Sequence, residues 1–222
     1  MRSQFSEEML ARMYEGGAVA VLVIDDAKNA VPTAKALWEG GVRAMELTLR
    51  TPAALEALRL VRKEVPEMLA GVGTILTPEQ VQTVADAKAD FGVAPGLNED
   101  VVRAAQQAGL PFAPGIMTPS EIEKAVALGC RELKLFPAEP LGGMKYLQSI
   151  AAPYNHLELR YLPLGGLTLA NIDAYVASPL LLALGGSWIA SRKLIQEQRW
   201  DAIAQNAQDT REKIDQIRKE CL

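Results

Sequence analysis

Ala18-Val19-Ala20-Val21-Leu22-Val23-Ile24, a helical pattern over 27–38, the pair Gly40-Gly41 and a second apolar run over 44–50 together decide the fold. An unbroken apolar run fits a strand covered on both faces, not one with a wet side. The periodic segment after it predicts a helix, and Gly40-Gly41 ends that helix because glycine takes the left-handed turn of a helix C-terminus without strain. A strand, a helix and a strand joined by short loops form a parallel pair with a right-handed crossover.

The alternation continues along the chain. Pro52 starts a helix over 53–65, a strand covers 69–74, and Pro78 starts the next helix. A short strand at 91–95 precedes Asn98, a suitable N-cap for a helix over 99–108. A strand at 112–116 leads to Thr118-Pro119-Ser120-Glu121, which opens another helix. Strands at 132–137, 160–164 and 181–184 follow, with helices at 144–152 and 170–177 between them. Eight strand–helix units predict a single α/β domain over 1–222, a (β/α)8 TIM barrel, with 7–14 and 200–219 as extra helices outside it. An open doubly wound sheet is the alternative, weakened by the missing Gly-x-Gly-x-x-Gly after the first strand.

Composition narrows the partners. With 49% hydrophobic residues, 23% charged residues and a formal net charge of −4, the chain lacks the basic surface of a nucleic-acid binder. Apolar runs such as 180–184 are too short to cross a bilayer. Met1-Arg2-Ser3-Gln4-Phe5 leads into an acidic amphipathic segment without a secretory apolar region, so the expected location is the cytoplasm. Cys130 and Cys221 follow no metal-ligand spacing; Cys130 reads as a small core residue. The one histidine, His156, lies in a loop context, which leaves no His-rich zinc site and no histidine base. No metal and no cofactor is expected.

In such a barrel the active site lies at the carboxyl ends of the strands, where the chemistry-bearing residues collect. Glu46, Thr48 and Arg50 share one face by the two-residue period, as do Lys134 and Phe136. Thr74, Pro95, Gly165-Gly166 and Gly185-Gly186-Ser187 end other strands. Lys134 stands in Arg131-Glu132-Leu133-Lys134-Leu135-Phe136-Pro137, where an ammonium is costly unless it is paired or works as a neutral amine. Such an amine with a carboxylate and a guanidinium suggests Schiff-base chemistry on an anionic carbonyl compound. The two glycine pairs expose backbone N–H groups suited to a phosphate, and Ser187 adds a hydroxyl. Each feature also has a plain structural reading. Lys134 could pair with Glu132 or a neighbouring strand, and Glu46 could pair with Arg50. Thr74 could cap the turn before Pro78, and the glycines could be tight turns alone.

Five stretches carry a resemblance over about 19–189. The segment 41–51, with Glu46 and Arg50, resembles the glutamate motif of the 2-keto-3-deoxy-6-phosphogluconate (KDPG)/4-hydroxy-2-oxoglutarate (KHG) aldolases. Gly71-Val72-Gly73-Thr74 is similar to their third-strand motif, and Lys134-Leu135-Phe136-Pro137-Ala138-Glu139 to their Schiff-base lysine motif. Pro163-Leu164-Gly165-Gly166 and Gly185-Gly186-Ser187-Trp188 resemble their phosphate loops. The resemblance implies a class I aldolase on a TIM barrel, a homotrimer, a lyase of carbohydrate metabolism. It would cleave a phosphorylated 2-keto-3-deoxy sugar acid, or 4-hydroxy-2-oxoglutarate, to pyruvate and glyceraldehyde 3-phosphate or glyoxylate. It implies Lys134 as the imine-forming amine and Glu46 as proton carrier. Arg50 and Thr74 would hold the pyruvoyl carboxylate, Phe136 and Pro95 the pocket wall, and Gly165, Gly166, Gly186 and Ser187 the phosphate. Leu164 departs from the threonine common in gluconate-type members, which leaves the C4 epimer and the aldehyde open. A phosphosugar epimerase or isomerase on the same barrel, and a phosphometabolite sensor that binds without forming an imine, are the competing readings.

Overall fold

The computed structural model describes residues 3–221. Of the amino-terminal stretch read above, Met1 and Arg2 lie outside the described residues.

Helix α1 (Glu7–Gly16) leads into strand β1 (Ala18–Leu22). Then follow α2 (Ala30–Glu39), β2 (Ala44–Thr48), α3 (Ala54–Glu64), β3 (Leu69–Gly73), α4 (Pro78–Asp86), β4 (Gly92–Val93) and α5 (Glu99–Ala108). The expected fifth strand is two short ones, β5 (Phe112–Ala113) and β6 (Gly115–Ile116). The break falls at Pro114, which has no N–H to give a ladder. The chain continues through α6 (Pro119–Ala127), β7 (Glu132–Leu135), α7 (Gly143–Ala151), β8 (Arg160–Pro163), α8 (Asp173–Val176), β9 (Leu184–Gly186), α9 (Arg192–Gln196) and α10 (Trp200–Glu220). Every expected strand–helix unit is present. The last two differ in detail: α8 is a single turn, and β9 begins at Leu184, with Leu181 making only an isolated bridge to Tyr161.

All ladders are parallel. One sheet of six strands has the order β5-β4-β3-β2-β1-β9, and a second has the order β6-β7-β8. Pro114 separates β5 from β6, and bridges Tyr161–Leu181 and Leu164–Gly185 join β8 to the run entering β9. Two apolar layers hold this arrangement. Outward-facing side chains such as Leu22, Met45, Leu47, Leu133 and Leu135 pack under the helices. Inward-facing ones, Val19, Ala44, Leu69, Phe91 and Leu162, form a second cluster that Phe5, Leu10 and Met13 cover from one side. Capping follows the sequence signals. Thr77 and Thr118 each accept the N–H of the residue three along, with Gln80 and Glu121 reaching back, and Asn98 accepts from the Asp100 N–H.

Candidate active site

The period-2 alternation aims Glu46 of β2 and Lys134 of β7 to the inner side, since their sequence neighbours lie in the outer layer. Their ends meet. Lys134 Nζ donates to Glu46 Oε1 at 3.2 Å and lies 3.4 Å from Oε2. Lys134 is 5% exposed and Glu46 2%. The pair is therefore desolvated, and the ion partner of Lys134 is Glu46 rather than Glu132. Glu132, also buried, instead accepts from the Ser3 hydroxyl at 2.7 Å. Burial pushes the Glu132 carboxyl above its usual value, and Ser3 and the Arg160 guanidinium oppose that rise.

The carboxylate of Glu46 reaches Lys134 because β3 carries glycine where it passes. A Cβ at Gly73 would sit 1.7 Å from Glu46 Oε1. Thr48, one pleat further on, is satisfied by donating to the Leu22 carbonyl at 2.9 Å, which ties β2 to β1.

A cavity of about 330 Å³ opens over the pair, within the range of small-ligand sites. It is lined by the ten residues to which the resemblance gives a role: Glu46, Arg50, Thr74, Pro95, Lys134, Phe136, Gly165, Gly166, Gly186 and Ser187. Arg50 lies two residues beyond the end of β2, in a turn where its N–H meets the Thr48 carbonyl at 2.7 Å. The Glu46–Arg50 ion pair is not formed, and the exposed guanidinium makes no salt bridge among the described residues. Thr74 has φ +63°, a left-handed conformation costly for a β-branched residue. It does not cap α4, because Thr77 does. Phe136 stands at the mouth, 37% exposed, with its ring centroid 5.5 Å from Lys134 Nζ. It forms a wall and does not seal the cavity.

Gly165 and Gly166 have φ +93° and +83°, values only glycine adopts freely. The N–H groups of Gly166 and Ser187 donate to no group among the described residues. Trp188 anchors the second turn through its indole N–H to Thr210 of α10, at 3.2 Å. The Gly166 and Ser187 amides are thus exposed donors in the same cavity as the lysine. Val21, Thr48, Leu164, Leu167 and Gly185 also line it. Val21 and Leu167 had no distinguishing signal, since an apolar residue in a strand or turn reads as core. Cys130 is buried, and desolvation pushes its thiol up to about 11, in keeping with a core residue.

The comparisons with known proteins agree with one another. The family model described as "Aldolase: KDPG and KHG aldolase" matches residues 9–206. The KHG/KDPG aldolase of Escherichia coli K12 is 42% identical over 194 residues, covering 87% of this chain and 90% of the relative. The 2-dehydro-3-deoxy-phosphogluconate aldolase of Dickeya dadantii is 43% identical with the same coverage. Among solved structures, KDPG aldolase from Legionella pneumophila, with pyruvate captured at low pH as a covalent carbinolamine intermediate, superposes with a TM-score of 0.85. Its sequence identity is 33%, over 90% of this chain and 96% of that one. The profile match and these identities leave one conclusion: the chain belongs to the KDPG and KHG aldolase family.

Proposed function

We propose that the chain is a class I aldolase that reversibly cleaves a 2-keto-3-deoxy-6-phospho sugar acid, or 4-hydroxy-2-oxoglutarate, into pyruvate and an aldehyde. The observation that carries this reading is the buried Lys134–Glu46 contact at the base of a cavity whose rim holds a guanidinium with no ion partner among the described residues. A lysine and a carboxylate at 3.2 Å can exchange a proton directly, which frees the amine to attack.

The neutral Lys134 Nζ adds to the C2 ketone to give a carbinolamine, and loss of water leaves an iminium ion. Glu46 takes the proton of the C4 hydroxyl, the C3–C4 bond breaks, and its electron pair moves into the iminium to give an enamine. The aldehyde leaves. Glu46 then returns a proton to C3, and water hydrolyses the imine to release pyruvate and the lysine. Arg50 grips the pyruvoyl carboxylate with its paired N–H groups, and the strained Thr74 presents its hydroxyl to the same carboxylate. Gly165, Gly166, Gly186 and Ser187 receive the distal phosphate through backbone N–H groups and the serine hydroxyl. Pro95 and Phe136 limit access of water from the sides.

The same reading takes 1–222 as one domain and the two sheets as one closed (β/α)8 ring, supported by the strand pairings on either side of Pro114 and the Leu164–Gly185 bridge. It includes a homotrimer and a cytoplasmic setting, supported by family membership. Among the described residues no helix is long and apolar enough to cross a membrane. The test is pyruvate release from the gluconate-type and galactonate-type phosphorylated acids and from 4-hydroxy-2-oxoglutarate, each with the parent chain and with Lys134→Ala. Lysine-dependent release from at least one of them is expected. Release that survives Lys134→Ala would overturn the reading.

A further inference from the structure

Tyr175, on the one-turn helix α8, is 1% exposed, yet its hydroxyl does not end in the apolar layer. It donates to Glu139 Oε1 at 2.6 Å, a contact between residues 36 apart in sequence. Glu139 follows β7 in the turn that begins at Phe136. The backbone of this turn is bound to the glycine turn after β8. The Ala138 N–H meets the Leu164 carbonyl at 2.7 Å, and the Glu139 N–H meets the Gly165 carbonyl at 3.0 Å. The stem of Glu139 lies against Gly166, where a Cβ would come 2.7 Å from Glu139 Cβ. On the far side, Asn171 donates to the Gly166 carbonyl at 3.1 Å. The turn with exposed amides is thus held by the backbone and stem of Glu139 and by Asn171, and the stem of Glu139 ends in a carboxylate.

A carboxylate beside a phosphate seat is unfavourable unless it is turned away, because like charges repel and because it could take the exposed amides for itself. The Tyr175 hydroxyl turns it away. Burial and the adjoining carboxylate raise the Tyr175 phenol above its usual value, so it remains a protonated donor across the working pH range. Neither Tyr175 nor Glu139 lines the cavity.

We infer that Tyr175 is a positioning residue for the distal anion of the substrate: by holding Glu139 against α8 it keeps the Gly165–Gly166 turn open to a phosphate. This inference rests on the aldolase reading above. The test compares Tyr175→Phe with the parent chain in two reactions. One is cleavage of the phosphorylated six-carbon 2-keto-3-deoxy acid. The other is exchange of pyruvate methyl protons in D2O, which needs the lysine and Glu46 but no distal group.

Loss of one hydrogen bond to a charged acceptor is expected to raise KM for the phosphorylated acid roughly tenfold, with kcat and pyruvate exchange within about twofold of the parent. Glu139→Gln, whose amide oxygen still accepts from Tyr175, is expected to keep a near-parent KM. Glu139→Ala, which removes the carboxylate that would take the amides but keeps the backbone and Cβ contacts to the turn, is also expected to keep a near-parent KM, and to restore it when combined with Tyr175→Phe; a tenfold higher KM in Glu139→Ala alone would overturn the inference even if Tyr175→Phe does not fold. An unchanged KM in Tyr175→Phe, or equal losses in both reactions, would overturn the inference alone. A parent chain that does not exchange pyruvate protons would overturn the aldolase reading and this inference with it.

Discussion

Gly73→Ala adds one methyl group next to the reacting pair. Its Cβ would lie 1.7 Å from Glu46 Oε1, 2.4 Å from Cδ and 2.8 Å from Cγ. All three distances are shorter than real contacts, and the involvement of Cγ means the whole side chain must rotate. The Gly73 backbone is outside the positive-φ region, so the substitution adds crowding without backbone strain. Crowding of this kind costs about 1–3 kcal/mol, and each kcal/mol lowers Tm by about 2–4 °C in a chain of this size. The fold should survive. The chemistry should not, because the displaced carboxylate no longer meets Lys134 Nζ. Loss of a positioned acid–base group lowers the rate by about 10²–10⁴-fold, or about 3–5 kcal/mol of barrier. The assay is pyruvate release from the cleaved keto acid, alongside a thermal melt of the same preparation. A folded Gly73→Ala variant with kcat within about threefold of the parent would refute the claim that Glu46, in its observed place, carries the proton.

Three further substitutions test other parts of the site. Thr74→Gly relieves the positive φ and should raise the urea midpoint by an amount worth about 1 kcal/mol, while KM for pyruvate in the exchange reaction rises; a destabilised variant would show that φ +63° is not strained. Arg50→Lys keeps the charge and loses the two-pronged grip, so KM for pyruvate should rise about tenfold with a smaller change in kcat; equal falls in both would assign Arg50 a different role. Glu132 titrates above its usual value of 4.5 in the folded chain, chiefly through burial. Between that usual value and the folded one, the folded state keeps a proton the unfolded state has lost, so stability falls as pH rises through the window, and the penalty is complete above it. Glu132→Gln removes the titration, and its stability relative to the parent should improve between pH 4 and pH 7; urea midpoints that run parallel over that range would contradict the buried-carboxyl account.

Much of this was readable because the chemistry lies on short-range patterns. The two-residue period was enough to group Glu46 with Thr48 and Arg50 and Lys134 with Phe136, and Gly165-Gly166 reads as a turn at a strand end. The meeting of Glu46 and Lys134 joins residues 88 apart, so the sequence left Lys134 open to Glu132 or a neighbouring strand, and Glu46 open to Arg50. The geometry separates them: Arg50 lies beyond β2 in a turn, and Glu132 is one pleat closer to Ser3. By spacing Thr74 reads as a cap for the turn before Pro78; in the structure Thr77 takes that role by accepting the Gln80 N–H, and Thr74 is left at φ +63°. The fifth strand reads as continuous because Pro114 interrupts the ladder without interrupting the apolar pattern. The Tyr175–Glu139 contact has no local signature, since a tyrosine on a short amphipathic helix reads as packing alone.

The central claim is that Lys134 forms an imine with a 2-keto acid. It is tested most directly by incubating the chain with pyruvate, reducing with sodium borohydride, and mapping the mass adduct by peptide analysis. One reduced pyruvoyl group is expected, on Lys134, and none in Lys134→Ala. A folded chain that takes up no adduct, or takes it up on another lysine, would contradict it.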